Sequence, residues 1–232
     1  MENTNLIDCS NLTSNQVNSM VSNLINSGQK QIIIKNPLNK LGLLEGIKGK
    51  TKIEIIGDAG PIFANDIKDL KVIVNGNIVS DSMCNVKDAK FTVFGSLGNN
   101  IAYNIENTEY YVSNNCGKNC FNNIKGSSKI VIGGMFGTNF ATSNDGGVIV
   151  VLNLNGGTFF IDDSIQFLEK FKKGSIYIRG NFKVATDKFI QHNITNDDED
   201  IYLPLISEFA RLFKFSLNEI TSKGFHRLEL KK

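Results

Sequence analysis

The chain has 232 residues, of which 41% are hydrophobic, with 25 Lys and Arg set against 23 Asp and Glu. That composition supports a buried core and leaves a near-neutral, mixed surface, which gives no electrostatic case for nucleic acid or for an anionic membrane. No apolar run approaches the roughly 20 residues of a membrane-spanning helix.

The opening residues are polar and acidic and lack the basic and apolar regions of a secretory signal. A cytoplasmic location is therefore expected, with Cys9, Cys84, Cys116 and Cys120 as reduced thiols. Thr13 and Gln16 have the spacing of a capping box. Val17, Met20, Val21, Leu24 and Ile25 then follow the spacing of one helix face, and Gly28 ends it. Residues 31–34 read as a strand, and 42–49 lead into the first coil of a repeat. Together, 1–50 are expected to form a helix-strand cap.

From Lys52 the sequence repeats itself. Gly57, Gly76, Gly95, Asn114 and Gly134 are separated by 19, 19, 19 and 20 residues. Three residues after each come Gly60, Val79, Gly98, Gly117 and Gly137, and Asn153 with Gly156 continues the pair. Gly180 restarts it after an insertion at 159–173, read as a partly helical excursion. Apolar columns keep the same register: Ile53, Val72, Phe91, Tyr110 and Ile130 in one, Ile55, Val74, Val93, Val112 and Ile132 in the next. Ile67, Val86, Ile105 and Ile124 form another, which Asn144 breaks. Each repeat is a short alternating strand, a Gly/Asn corner, a second inward-facing stretch and another corner. Gly and Asn accept positive φ most readily, so the anchors are expected to be left-handed corners, with Asn114 standing in for glycine.

After the repeat, 183–232 are expected to form a helical cap. Beyond the acidic stretch 197–200, Tyr202, Leu205, Ile206, Phe209, Leu212 and Phe213 make a helix face, with Pro204 near the first turn. Ser216 and Glu219 have the spacing of a second capping box.

Strands recurring every 19 residues with no helix between them point to a solenoid, in which equivalent side chains stack into one core. One coil alone buries too little to offset the ordering of its backbone. The period is not a multiple of six, which argues against a left-handed hexapeptide helix. The expected class is all-β: a right-handed single-stranded parallel β-helix of about seven coils over 51–182.

The segments KIEIIGDAG (52–60), VIVNGN (72–77), FTVFGSLGNNIAYNI (91–105), KIVIGGMFGTNFA (129–141) and GGVIVVLNLNG (146–156) resemble the glycine-repeat domain at the C-terminus of the glutamate synthase large subunit. The opening 8–35 and the closing helix 203–220 resemble the ends of its free-standing forms. The resemblance implies a right-handed β-helix without catalytic residues, packed between an amidotransferase and a flavin-containing synthase part. Val79, Met83, Asn114 and Phe121 stand where that family usually has glycine. The repeat is also similar to a non-catalytic component of formylmethanofuran dehydrogenase.

The chemistry of such an enzyme is not expected in this chain. The amidotransferase cysteine of the resembled enzyme belongs at a processed N-terminus, whereas Cys9 lies eight residues in. Cys116 and Cys120 fall in inward columns with Ala59, Leu97 and Ile101, as buried thiols do. His192 and His226 read as surface histidines. Asp162 and Asp163, beside Ser164, read as a helix cap rather than a paired acid and base. No cofactor or metal is expected, and protein partners are. The residues singled out are structural corners: Gly57, Gly60, Gly76, Gly95, Gly98, Asn114, Gly117, Gly134, Gly137, Asn153, Gly156 and Gly180. Three functions compete: an assembly subunit of a glutamate-synthase-like complex, an orphan interaction scaffold, and a carbohydrate-active β-helix. The last is disfavoured by the lack of a signal segment and of Trp.

Overall fold

A computed structural model describes residues 5–38, 40–157, 159–161 and 169–231. In chain order its elements are β1 (Asn5–Asp8), α1 (Ser14–Asn26), β2 (Gln31–Lys35), β3 (Lys52–Ile56), β4 (Lys71–Asn75), β5 (Ile78–Ser80) and β6 (Lys90–Val93). Then come β7 (Leu97–Asn99), β8 (Ile105–Glu106), β9 (Glu109–Val112), β10 (Ile124–Ile132), β11 (Asp145–Val151), β12 (Phe159–Ile161), β13 (Lys173–Arg179), β14 (Phe182–Val184) and β15 (Phe189–Asn193). The chain closes with α2 (Asn196–Phe213), α3 (Leu217–Thr221) and β16 (Phe225–Leu230).

One long ladder runs β1-β2-β3-β4-β6-β9-β10-β11-β13, every neighbour parallel to the next. Lys52 lies beside Lys71, Lys71 beside Lys90 and Lys90 beside Glu109, so the 19-residue step is the rung-to-rung step. The chain is a parallel β-solenoid of about six turns. The spacing in the sequence implies about seven; the difference arises after β11, where Val148 pairs with Ser175 and a longer excursion replaces a regular coil. Within that excursion β12 is a strand, paired in parallel with β14, where a helix was expected. Asp162, Asp163 and Ser164 lie outside the described residues.

Alternation explains the core. Ile53, Val72, Phe91 and Tyr110 face inward in one buried column, and Ile55, Val74, Val93 and Val112 in the next. Because rungs lie about 4.8 Å apart, equivalent side chains touch directly. Phe91 and Tyr110 stack with centroids 4.9 Å apart and planes 2° from parallel. Asn144, which interrupts its column, is fully buried, and its Oδ1 accepts from the Ile124 amide at 2.8 Å.

The ends differ from their sequence reading. Helix α1 has both bonds of the Thr13–Gln16 capping box and buries Val17 and Val21, while Met20 turns outward. It packs on the first coil, where Asn18 donates to the Gly42 carbonyl and accepts from the Leu44 amide. Yet β1 and β2 are rungs of the ladder, so the solenoid starts before residue 51. At the other end, β16 pairs antiparallel with β13, and β15 with β16. Strands, not a helix, continue the last parallel edge.

Helix α2 lies instead on the outer face of the ladder. Tyr202, Leu205, Ile206 and Phe209 pack on Tyr111, Val131, Val150 and Tyr177, outward-facing residues of β9, β10, β11 and β13. It starts at Asn196, earlier than expected, because Thr195 and Asp198 form a capping box and Asp197, Asp198 and Glu199 suit a helix N-terminus. Pro204 therefore sits inside the helix. Ser216 makes no side-chain cap bond to α3 among the described residues, contrary to its sequence signature. Two polar latches hold α2. Asp198 accepts from the Tyr177 hydroxyl at 3.0 Å, and Glu208 accepts from Lys90 at 2.9 Å and from Arg211 at 2.7 Å. Burial pushes the Asp198 carboxyl up, but bonds from Thr195 and Tyr177 and the Arg227 charge outweigh it and bring it below its ordinary value.

The Arg211 bond, followed by Lys90, brings Glu208 from 4.5 down to about 2 against the opposing effect of burial. A depressed carboxylate stabilises the fold fully above its ordinary value and loses that contribution as pH falls towards the folded one. Glu208→Gln is expected to cost roughly 1–2 kcal/mol near neutral pH. Urea denaturation should show the gap from wild type closing as pH falls below about 4.5.

Candidate functional site

The residues singled out from the sequence are corners, and the structure gives them two different jobs. Gly57, Asn153, Gly156 and Gly180 have positive φ, as expected. Gly76, Gly95 and Gly134 do not. They are glycine because the next coil sits against their backbone: a Cβ on Gly76 would lie 2.5 Å from the Gly57 carbonyl carbon, and one on Gly95 2.5 Å from the Gly76 oxygen. Gly60, Gly98, Gly117 and Gly137 are excluded from bearing a side chain in the same way; on Gly98 it would fall on the Val79 carbonyl. Asn114 corrects the sequence reading. It has no positive φ, its side chain is exposed, and its amide simply donates to the Gly95 carbonyl at 3.3 Å.

The left-handed corners lie elsewhere. Asp81, Asn100, Asn119 and Asn139 form one column of positive φ, and Asp66, Asn85, Asn104 and Asn123 another. Between them runs a third, Leu44, Ala64, Met83, Ala102, Phe121 and Ala141, whose side chains are buried. Alternate residues send their amides in opposite directions. Ala102 donates to Ser82 in the preceding coil, while Asn100 and Asn104 donate to Lys118 and Asn122 in the following one. Every second residue must be left-handed for this. Asn and Asp tolerate that conformation; Met and Phe do not, at a cost of about 1–3 kcal/mol each. Core burial of these apolar side chains opposes that cost.

The outward columns are joined side chain to side chain. Asn100 donates to Asp81 at 2.8 Å, Asn119 to Asn100 at 2.7 Å and Asn139 to Asn119 at 2.8 Å. Asn85 donates to Asp66 at 3.0 Å, Asn104 to Asn85 at 2.8 Å and Asn123 to Asn104 at 2.9 Å. Each amide donates towards the N-terminus and accepts from the next coil, so the first rung needs only an acceptor. In both columns that rung is aspartate. The sequence carried this signal in Asp and Asn at 19-residue steps, masked by the more conspicuous glycines.

The remaining candidates are dispersed. Cys9, Cys116 and Cys120 are buried free thiols. Burial pushes Cys116 well above its ordinary value and Cys120 up to about 12, far from thiolate reactivity. His192 lies 3.1 Å from a Glu229 carboxylate oxygen. His226, read as a surface residue, is half-buried in a cleft with Arg179, Asn153 and Lys223. No group of three metal-ligating side chains exists among the described residues, and no helix among them is long and apolar enough to cross a membrane.

Fold and corners define a parallel β-solenoid repeat protein. A scan against protein-family models finds no matching family, and a search of curated proteins finds no match.

Two substitutions test this account of the corners. Gly98→Ala should lower stability by about 3 kcal/mol or more in urea denaturation, because the added methyl meets backbone that cannot yield locally. Asn114→Val should stay within about 0.5 kcal/mol of wild type, since no left-handed φ opposes it. In the ladder, Asn85→Asp should cost about 1–2 kcal/mol by setting one carboxylate against another and deleting a donor. Asp66→Asn, which keeps the acceptor, should change stability by less than about 0.5 kcal/mol. Equal losses for that last pair would contradict the direction of the ladder.

Proposed function

We propose that this chain is a non-catalytic assembly subunit that holds an amidotransferase and a flavin-containing synthase part in register, as its resemblance to the glutamate synthase repeat domain implies. One observation carries the reading: the polar side chains at the corners are spent on one another, coil to coil, which makes a stiff scaffold. A surface for a partner follows from the placement of α2. The helix covers the outer face of β9 to β13 and ends over β6 through Glu208 and Lys90. Beyond it the outer face of β2 to β4 presents Ile33, Glu54 and Ile73, all half-buried, beside the stacked Lys52 and Lys71. In this reading the chain works in the cytoplasm, binds neither nucleic acid nor membrane, and contributes no flavin, iron or catalytic cysteine of its own.

The test is reconstitution. The full chain mixed with the amidotransferase and flavin synthase chains of its own organism should co-sediment with them in a fixed ratio and raise glutamine-dependent glutamate formation. Ile73→Arg should weaken co-sedimentation about tenfold without unfolding the chain. Separate sedimentation would overturn the glutamate-synthase reading and favour an orphan scaffold or a role in an assembly of the formylmethanofuran dehydrogenase type.

A further inference from the structure

Where the last parallel rung meets the antiparallel strands, a cleft of about 270 Å³ opens. It is lined by Asn153 after β11, Arg179 at the end of β13, Lys223 and His226 beside β16, and backbone at Gly157 and Gly224. A Cβ on Gly157 or on Gly224 would meet nothing within 4 Å, so the backbone there is open. Arg179 is only 5% exposed. Its Nε donates to the Ile220 carbonyl, Nη1 to Leu152 at 3.2 Å and Nη2 to Glu219 at 3.0 Å. A guanidinium has five donors, so two remain after these bonds. No carboxylate pairs with Arg179 among the described residues.

Asn153 is 6% exposed, and its Nδ2 donates to the Gly157 carbonyl at 2.8 Å. That bond fixes the amide and leaves Oδ1 buried with no donor among the described residues. His226 Nδ1 is buried and unpartnered in the same way. The cleft therefore combines two cations, Arg179 and Lys223, with one acceptor in need of a proton. A ligand must bring anionic oxygens for the first and a hydrogen-bond donor for the second. Hydrogen phosphate carries both in one group. Sulfate and simple carboxylates carry the oxygens without the proton.

The geometry points to a phosphate site at this cleft, taking a protonated phosphate group either as the free ion or on a small ester. Asn153 Oδ1 accepts the phosphate proton, and Arg179 and Lys223 hold its charged oxygens.

Isothermal titration of the full chain with inorganic phosphate, sulfate and glycerol phosphate at matched ionic strength tests this. Phosphate or its ester should bind saturably and about tenfold or more tighter than sulfate. Whichever of the two binds tighter identifies the form the cleft takes. Lys223→Gln, at an exposed position, should weaken phosphate several-fold. Asn153→Gly keeps a residue suited to the local φ of 44° and should reduce phosphate to the sulfate level. No saturable binding of either phosphate compound, equal binding of sulfate by the wild-type chain, or a preference untouched by both substitutions would overturn the assignment.

Discussion

Backbone amides at the corners have to find acceptors in the coils above and below, and this requirement shapes the rest of the molecule. In a strand, successive amides already point to opposite neighbours. At a corner the same outcome needs every second residue to be left-handed, as at Asn100, Ala102 and Asn104. Once that backbone is fixed, each position's chemistry follows from which way its side chain points. Outward positions take Asn or Asp, whose short side chains tolerate the conformation and can bond along the column. Inward positions must be apolar, so Met83 and Phe121 occupy a conformation that suits neither. Burial outweighs local preference there, and the stacked coils keep the alternative conformations from relieving it.

The same stacking dictates where glycine is needed. At Gly76, Gly95 and Gly98 the neighbouring coil passes so close that any side chain would strike its backbone. These are contact glycines, and they hold the period at 19 residues because an inserted residue would bring a Cβ into register with a carbonyl. Regularity ends where the contacts change. After β11 the register jumps, β16 approaches in the opposite direction, and the Arg179 cleft opens at that junction. Helix α2 buries the apolar outer faces of the same later rungs, so the C-terminal third carries features that the early coils lack.

Period, strand positions, inward columns and the α1 capping box could all be read in the sequence, because each depends on short-range spacing. Several features could not. Glycine spacing revealed that corners recur but not why, since a glycine required by positive φ and one required by a passing backbone look alike in one dimension. Asn114 was misread for that reason. The start of α2 was obscured because its acidic first turn resembles a loop; the tertiary bond from Tyr177 to Asp198 anchors it. The fate of 225–230 as a strand depends on the free edge of β13, a partner distant in sequence. The cleft at Arg179 joins residues from 153 to 226, and no local pattern announces such a meeting.

The most direct measurement of this account is the backbone conformation of Met83, Ala102 and Phe121 in solution. These apolar residues have no intrinsic reason to be left-handed, so only inter-coil hydrogen bonding places them there. Nuclear magnetic resonance of the labelled chain should show strong intraresidue amide-to-α-proton cross-peaks at all three, together with slow amide exchange. Right-handed or extended conformations at these positions, with rapidly exchanging amides, would contradict the claim that the corners are held by alternating bonds to the coils on either side.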